Sequence, residues 1–257
     1  MPNLHTVIHR FYPYDRLPLI GPALPRLQFP ALRVLHWCGL AYTQATTLLS
    51  LLQPGPRDLQ ALSIRCEYTS DAAAASALLA AVRATCAPQT LTSLALHSIN
   101  ASSASLAAPV TPALAASALA ASLCPFTRMQ ECQITGLPVA LDDQLLGDLS
   151  ASWPALRRLE LVAGPLRGLD DHARGPAVLA ALCPRLEHLE VEIGAWWPEG
   201  GPAPTRSATG HRAQTVVVYC AHLEALQDDP HEGRCTAWVR GVFPHAQVML
   251  VDRREPH

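Results

Sequence analysis

Apolar residues return along this chain at the first, fourth and sixth places of a short phrase, with a proline a few places ahead. The phrase reads Pro154-Ala155-Leu156-Arg157-Arg158-Leu159-Glu160-Leu161 and again Pro184-Arg185-Leu186-Glu187-His188-Leu189-Glu190-Val191. The same spacing occurs as Leu4, Val7 and a polar His9; Leu32, Leu35, Trp37; Leu59, Leu62, Ile64; Leu91, Leu94, Leu96; and Met129, Cys132, Ile134. Successive first positions are 28, 27, 32, 38, 27 and 30 residues apart. Alternation with a period of two predicts a short strand with one apolar face in each phrase. A strand of that kind has nowhere to bury its apolar face alone. A repeat of this length therefore predicts strands stacked side by side, each completing the core of its neighbour.

Between the phrases the pattern turns helical. Residues 71–87 are alanine-rich, with Leu78, Leu79 and Val82 on one side. Thr111-Pro112 offers an N-cap followed by proline at the first helical position. Asp142-Asp143 and Asp170-Asp171 are acidic helix starts, favourable at the positive end of the helix dipole. Cys124-Pro125, Trp153-Pro154 and Cys183-Pro184 are stops, because proline ends a helix and sends the chain on extended. Together these signals predict an α/β solenoid, a leucine-rich-repeat horseshoe with parallel strands on the concave face and helices on the convex face. Residues 1–193 form about seven repeats, 194–213 a loop rich in proline and glycine that holds Trp196-Trp197, and 214–257 a terminal strand-helix-strand cap. The cap comprises a strand at Thr215–Tyr219, a helix at Arg234–Phe243 with Trp238, Val239 and Val242 on one face, and a strand at Val248–Val251. Met1-Pro2-Asn3-Leu4 opens inside a phrase, which suggests the latter part of a longer protein or a shortened gene model.

Residues between the inward leucines point to the other face of the sheet. Early strands offer Arg10, His36, Arg65 and His97 there; late strands offer Glu131, Arg158, Glu160, His188, Glu190 and Glu192. The face is thus expected to change sign along the solenoid. Glu160 and Glu190 are expected side by side at a spacing of about 4.8 Å, with Arg158 and His188 the nearest groups to offset their repulsion. The set His36, Arg65, His97, Glu131, Arg158, Glu160, His188, Glu190 and Glu192 is the candidate partner-binding surface, and its late half suits a protein partner with a basic segment.

Composition narrows the classes. With 19 Lys+Arg against 21 Asp+Glu the net charge is −2, so no strong pull toward nucleic acid is expected. No stretch reaches the roughly 20 apolar residues that span a bilayer, and no signal peptide precedes the first phrase. A cytoplasmic or nuclear location without membrane attachment is the expectation. The eight cysteines include no Cys-x-x-Cys pair, as expected of reduced thiols that pack the core. Phosphate-binding glycine loops, Gly-x-Ser-x-Gly and His-Glu-x-x-His are missing, so neither catalysis nor a cofactor is expected. Asp170-Asp171-His172 reads as a helix cap. Cys220-x-His222 with His231-x-x-x-Cys235 has four zinc-type donors at a spacing that matches no common zinc module.

With its Pro-x-Leu-x-x-Leu-x-Leu strands, Cys-Pro helix stops and terminal Trp238…Phe243-Pro244 segment, the chain resembles the leucine-rich-repeat region of fungal-type F-box proteins. In that family an N-terminal F-box docks the adaptor of a cullin-RING ubiquitin ligase and the repeats hold the substrate. The resemblance implies a substrate-recognition scaffold. The alternative is a stand-alone binding or inhibitory repeat protein with no ubiquitin link. This sequence shows no F-box, and the family's asparagine or cysteine ladder is replaced by Leu40, Glu67, Ile99, Leu137, Gly164 and Gly194.

Overall fold

The computed structural model describes residues 4–10, 29–52, 55–66, 72–98, 114–137, 139, 141–162, 175–193, 213–220, 237 and 239–252. Nine strands form one parallel sheet in sequence order: β1 (Thr6–Arg10), β2 (Val34–Leu40), β3 (Ala61–Cys66), β4 (Ser93–Ser98), β5 (Glu131–Thr135), β6 (Arg158–Val162), β7 (His188–Ile193), β8 (Thr215–Cys220) and β9 (Gln247–Asp252). Among the described residues, five named helices lie between successive strands from β2 to β7: α1 (Tyr42–Leu51), α2 (Ala72–Thr85), α3 (Ala116–Leu123), α4 (Asp143–Ser152) and α5 (Gly175–Leu182). Each helix packs on the next, α1 through α5, forming a row along one face of the sheet. The other face holds the alternate side chains of every strand.

The apolar triplets form the core. From the second phrase to the seventh all three members of each are buried, from Leu32, Leu35 and Trp37 to Leu186, Leu189 and Val191. Strand register keeps equivalent members in line: Leu35, Leu62, Leu94, Cys132, Leu159 and Leu189 are successive partners, and so are Trp37, Ile64, Leu96, Ile134, Leu161 and Val191. In the first phrase Leu4 and Val7 are half-buried and His9 exposed, because β1 has a neighbour on one side.

The prolines act where the phrase begins. The amide of Leu156 donates to the carbonyl of Trp153 at 3.0 Å, the amide of Leu186 to Cys183 at 3.0 Å, and the amide of Leu32 to Phe29 at 3.1 Å. Each pair brackets a turn with Pro154, Pro184 or Pro30 second, where the fixed φ of proline suits the turn. From there two successive amides reach one carbonyl of the preceding unit: Arg157 and Arg158 donate to Gln130, and Glu187 and His188 donate to Arg157. This contact recurs along the sheet and sets its register. One irregularity interrupts it in β2, where Gly39 at φ 82° adds a residue between the pairs Cys38–Arg65 and Leu40–Cys66. The left-handed backbone that glycine tolerates turns Leu40 back into the core.

Helix boundaries follow local chemistry. Asp142 caps α4, its Oδ1 accepting from the Leu145 amide at 2.6 Å. The expected stops at Cys124, Trp153 and Cys183 each lie one residue past the ends of α3, α4 and α5. α3 starts at Ala116, four residues past the proline expected to open it, and its N-cap is Ala115 without a side-chain bond; Thr111 and Pro112 lie outside the described residues. So do Asp170, Asp171, the Trp196-Trp197 loop and Trp238.

The terminal segment continues the same sheet. β8 pairs in parallel with β7 and β9 with β8. Ala213, Val216 and Val218 are buried at the first, fourth and sixth places of an eighth phrase whose leading residue is alanine. Ala237 and residues 239–242 are helical, and Val239, Val242 and Phe243 are buried. Among the described residues no helix is long and apolar enough to cross a membrane.

Candidate functional site, the polar face of the sheet

Three rows of side chains run across the strands on the face opposite the helices. Val34, Ala61, Ser93, Glu131, Arg158 and His188 share the first, and His36, Ser63, Ala95, Gln133, Glu160 and Glu190 the second. Cys38, Arg65, His97, Thr135 and Val162 share the third. Eight of the nine candidate residues fall on this face at the positions the alternation requires. The side chain of Glu192 lies outside the described residues, although its backbone pairs with Tyr219.

His36 is half-buried and Arg65 exposed. His97 stands opposite Arg65 and shares a 2.8 Å hydrogen bond between its Nδ1 and Thr135 Oγ1. Burial, and secondarily the positive charge of Arg65, hold His97 below the ordinary imidazole value of 6.5, while Glu160 and a bond to Gln133 pull it upward. Desolvation wins because it acts on the ring directly, whereas Glu160 is two strands away.

The late strands are tightly tied. Glu160 and Glu190 are direct cross-strand partners on β6 and β7. Glu160 is only 7% exposed although it faces away from the helices. Its Oε1 accepts from Arg158 Nε at 2.6 Å and also from Arg158 Nη2. His188 Nε2 stands 3.7 Å from that oxygen and 3.5 Å from Glu190 Oε2. A buried carboxylate requires such compensation. Glu131, at the near end, is exposed and accepts from Ser93 Oγ at 3.3 Å. The acidic late face of the sequence therefore divides: Glu160 is engaged internally, Glu190 is half-buried beside His188, and Glu131 is the exposed carboxylate.

Glu160, His188 and Glu190 place one ligand atom each within 4.8 Å of one another, a donor set suited in type to a divalent cation. The Arg158 guanidinium already neutralises Glu160 there, and a metal ion would face that fixed positive charge. The Cys220, His222, His231 and Cys235 set lies outside the described residues apart from the backbone of Cys220.

The remaining chemistry-bearing side chains are thiols. Cys66, Cys86 and Cys132 are buried and their pKa is pushed up to about 12 by burial, that of Cys132 also by Glu160; Cys183 is pushed to about 11. Thiols this hard to ionise are poor nucleophiles and poor metal ligands. Cys183 packs below Trp153, its Sγ 3.7 Å from the Trp153 carbonyl.

No protein-family model matches the chain, and no curated protein matches it.

Proposed function

We propose that the chain is a leucine-rich-repeat interaction scaffold, without catalytic activity of its own, whose open sheet face is the concave surface that holds a protein partner. The observation that supports this reading is the division of the late face into an internally neutralised Glu160, a half-buried Glu190 beside His188 and an exposed Glu131, the last two on strands separated by β6. Two carboxylates at that spacing suit a basic segment laid across the strands. Charge steers such an encounter and fixes its register more than it sets affinity.

The narrower proposal is that the partner is a substrate and the scaffold belongs to an F-box-like ubiquitin-ligase receptor. It rests on the resemblance in the strand phrases and helix stops. Sequencing the transcript for an in-frame F-box upstream of Met1 tests it separately from the binding function.

The binding reading is tested with a peptide array on the full chain, comparing lysine- and arginine-rich with glutamate-rich peptides at two salt concentrations. Retention of basic peptides that is lost in Glu190→Lys and in Glu131→Lys supports it. Equal retention by wild type and both variants, or none at all, removes it.

A further inference from the structure

Two opposite charges on the central strands of the open face are not neutralised by their neighbours. Arg65 on β3 is exposed and, among the described residues, has no carboxylate within ion-pair distance. Its cross-strand neighbours are Cys38 and His97, and His97, held below 6.5 by burial, adds little charge at neutral pH. Glu131 on β5 is exposed too, and the hydrogen bond it accepts comes from the neutral hydroxyl of Ser93. Arg158, beside it on β6, is turned to Glu160. The register sets the two charges at opposite ends of a diagonal. Arg65 stands opposite His97, Ser93 stands opposite Glu131, and Ala95 lies midway between them on β4. Two strand spacings of about 4.8 Å and four residues of about 3.3 Å make that diagonal about 16 Å long. Ala61, Ser63, Ser93 and Ala95 form a block of short side chains on β3 and β4 under its middle, so another chain can come close to the sheet there.

We propose that the partner segment held by the open face is bipolar, with an acidic side chain on Arg65 and a basic one on Glu131. The assignment rests on the open face being the partner-binding surface, and adds to the basic segment an acid at a set distance. An extended segment covers about 16 Å in about five residues. Side chains on one of its faces recur every second residue, so the acid and the base stand about four or about six residues apart. The residues between them cross the short side chains around Ala95. Charge complementarity selects this occupant. A uniformly basic segment would bring a like charge to Arg65, and a uniformly acidic one would bring a like charge to Glu131; either juxtaposition disfavours the complex. A bipolar segment meets both charges with the opposite sign, and the diagonal fixes where along the sheet it lies.

Fluorescence anisotropy on the full chain tests the proposal with three labelled peptides. One carries glutamates and lysines in separate blocks about four residues apart, one has the same composition with the charges alternating, and one has lysines alone. The variants are Arg65→Glu and Arg65→Lys, with circular dichroism to confirm that each is folded, as expected for substitutions at an exposed position. The expected result is that wild type binds the spaced peptide about tenfold more tightly than the alternating one. Arg65→Glu loses that preference, Arg65→Lys keeps it, and the lysine-only peptide binds Arg65→Glu at least as well as wild type. Equal binding of the spaced and alternating peptides by wild type overturns the proposal whatever the variants do, and so does a preference that persists in Arg65→Glu. If the lysine-only peptide still binds in either case, the partner-binding reading of the face stands without the bipolar one. Binding of none of the three peptides overturns both.

Discussion

Glu160 and Glu190 face each other directly across β6 and β7, and His188 Nε2 lies between them, 3.7 Å from one carboxylate and 3.5 Å from the other. Two like charges at adjacent strand positions repel. The sheet answers with Arg158 on Glu160 and with an imidazole shared by both acids. What the sequence displays as an acidic stripe is, in three dimensions, a mostly closed charge network whose most exposed member is Arg158.

Removing Arg158 should expose the cost of that closure. Arg158→Leu leaves a buried carboxylate with His188 alone, and since Arg158 is itself partly exposed the loss should be about 2 kcal/mol. The double variant Arg158→Leu/Glu160→Leu, which removes both charges, should return close to wild type. Urea unfolding midpoints measure both, and a double variant less stable than the single one would contradict the account.

His97 should make the fold acid-sensitive below pH 6.5. Its folded-state value lies below 6.5, chiefly through burial. The unfolded chain therefore binds the proton first as pH falls. The contribution of neutral His97 is complete above 6.5 and is lost progressively below it, down to the folded-state value. His97→Gln, which keeps a polar group near Thr135, should flatten that acid limb. A limb of unchanged slope would assign the sensitivity elsewhere.

The thiols should divide by burial. In the folded protein an alkylating reagent should modify Cys38 and Cys124, which are half-buried, well before Cys66, Cys86, Cys132 and Cys183. Site-resolved mass spectrometry separates the six. The raised values also give an alkaline limb: stability is whole below 9.0 and falls as pH rises toward about 12, where the unfolded thiols ionise first.

Asp142 should be worth a helix cap. Asp142→Ala removes the acceptor for the Leu145 amide and should cost about 1 kcal/mol, whereas Asp142→Asn should cost little. Thermal unfolding of the two variants distinguishes the lost bond from a lost charge.

The strands were legible because their inward positions are strict: a leucine phrase with period two has one buried face, and Leu62, Leu94 and Leu159 occupy it without exception. The Asp142 cap was legible for the same kind of reason, a local bond between neighbours in sequence. α1 was not read. Its start has neither proline nor acid, and the signal was Tyr42, Ala45, Leu48 and Leu49 on one face with Gln44 accepting from the Ala41 amide at 2.9 Å. The eighth phrase was missed because Ala213 replaces the leading leucine and no proline precedes it. On the open face, sequence placed Glu160 beside Glu190 and named Arg158 and His188 as the offsetting groups. How far Glu160 is buried depends on side-chain directions across three strands, which spacing alone leaves open.

Because, among the described residues, every strand bonds only to the strands before and after it in the chain, each rung closes a loop of similar size, roughly thirty residues. The entropy of closure is then nearly the same at every step. Such a chain can assemble by zipping from any nucleus and fray from its ends. Length becomes a variable that evolution or an engineer can change by whole rungs without rethreading anything.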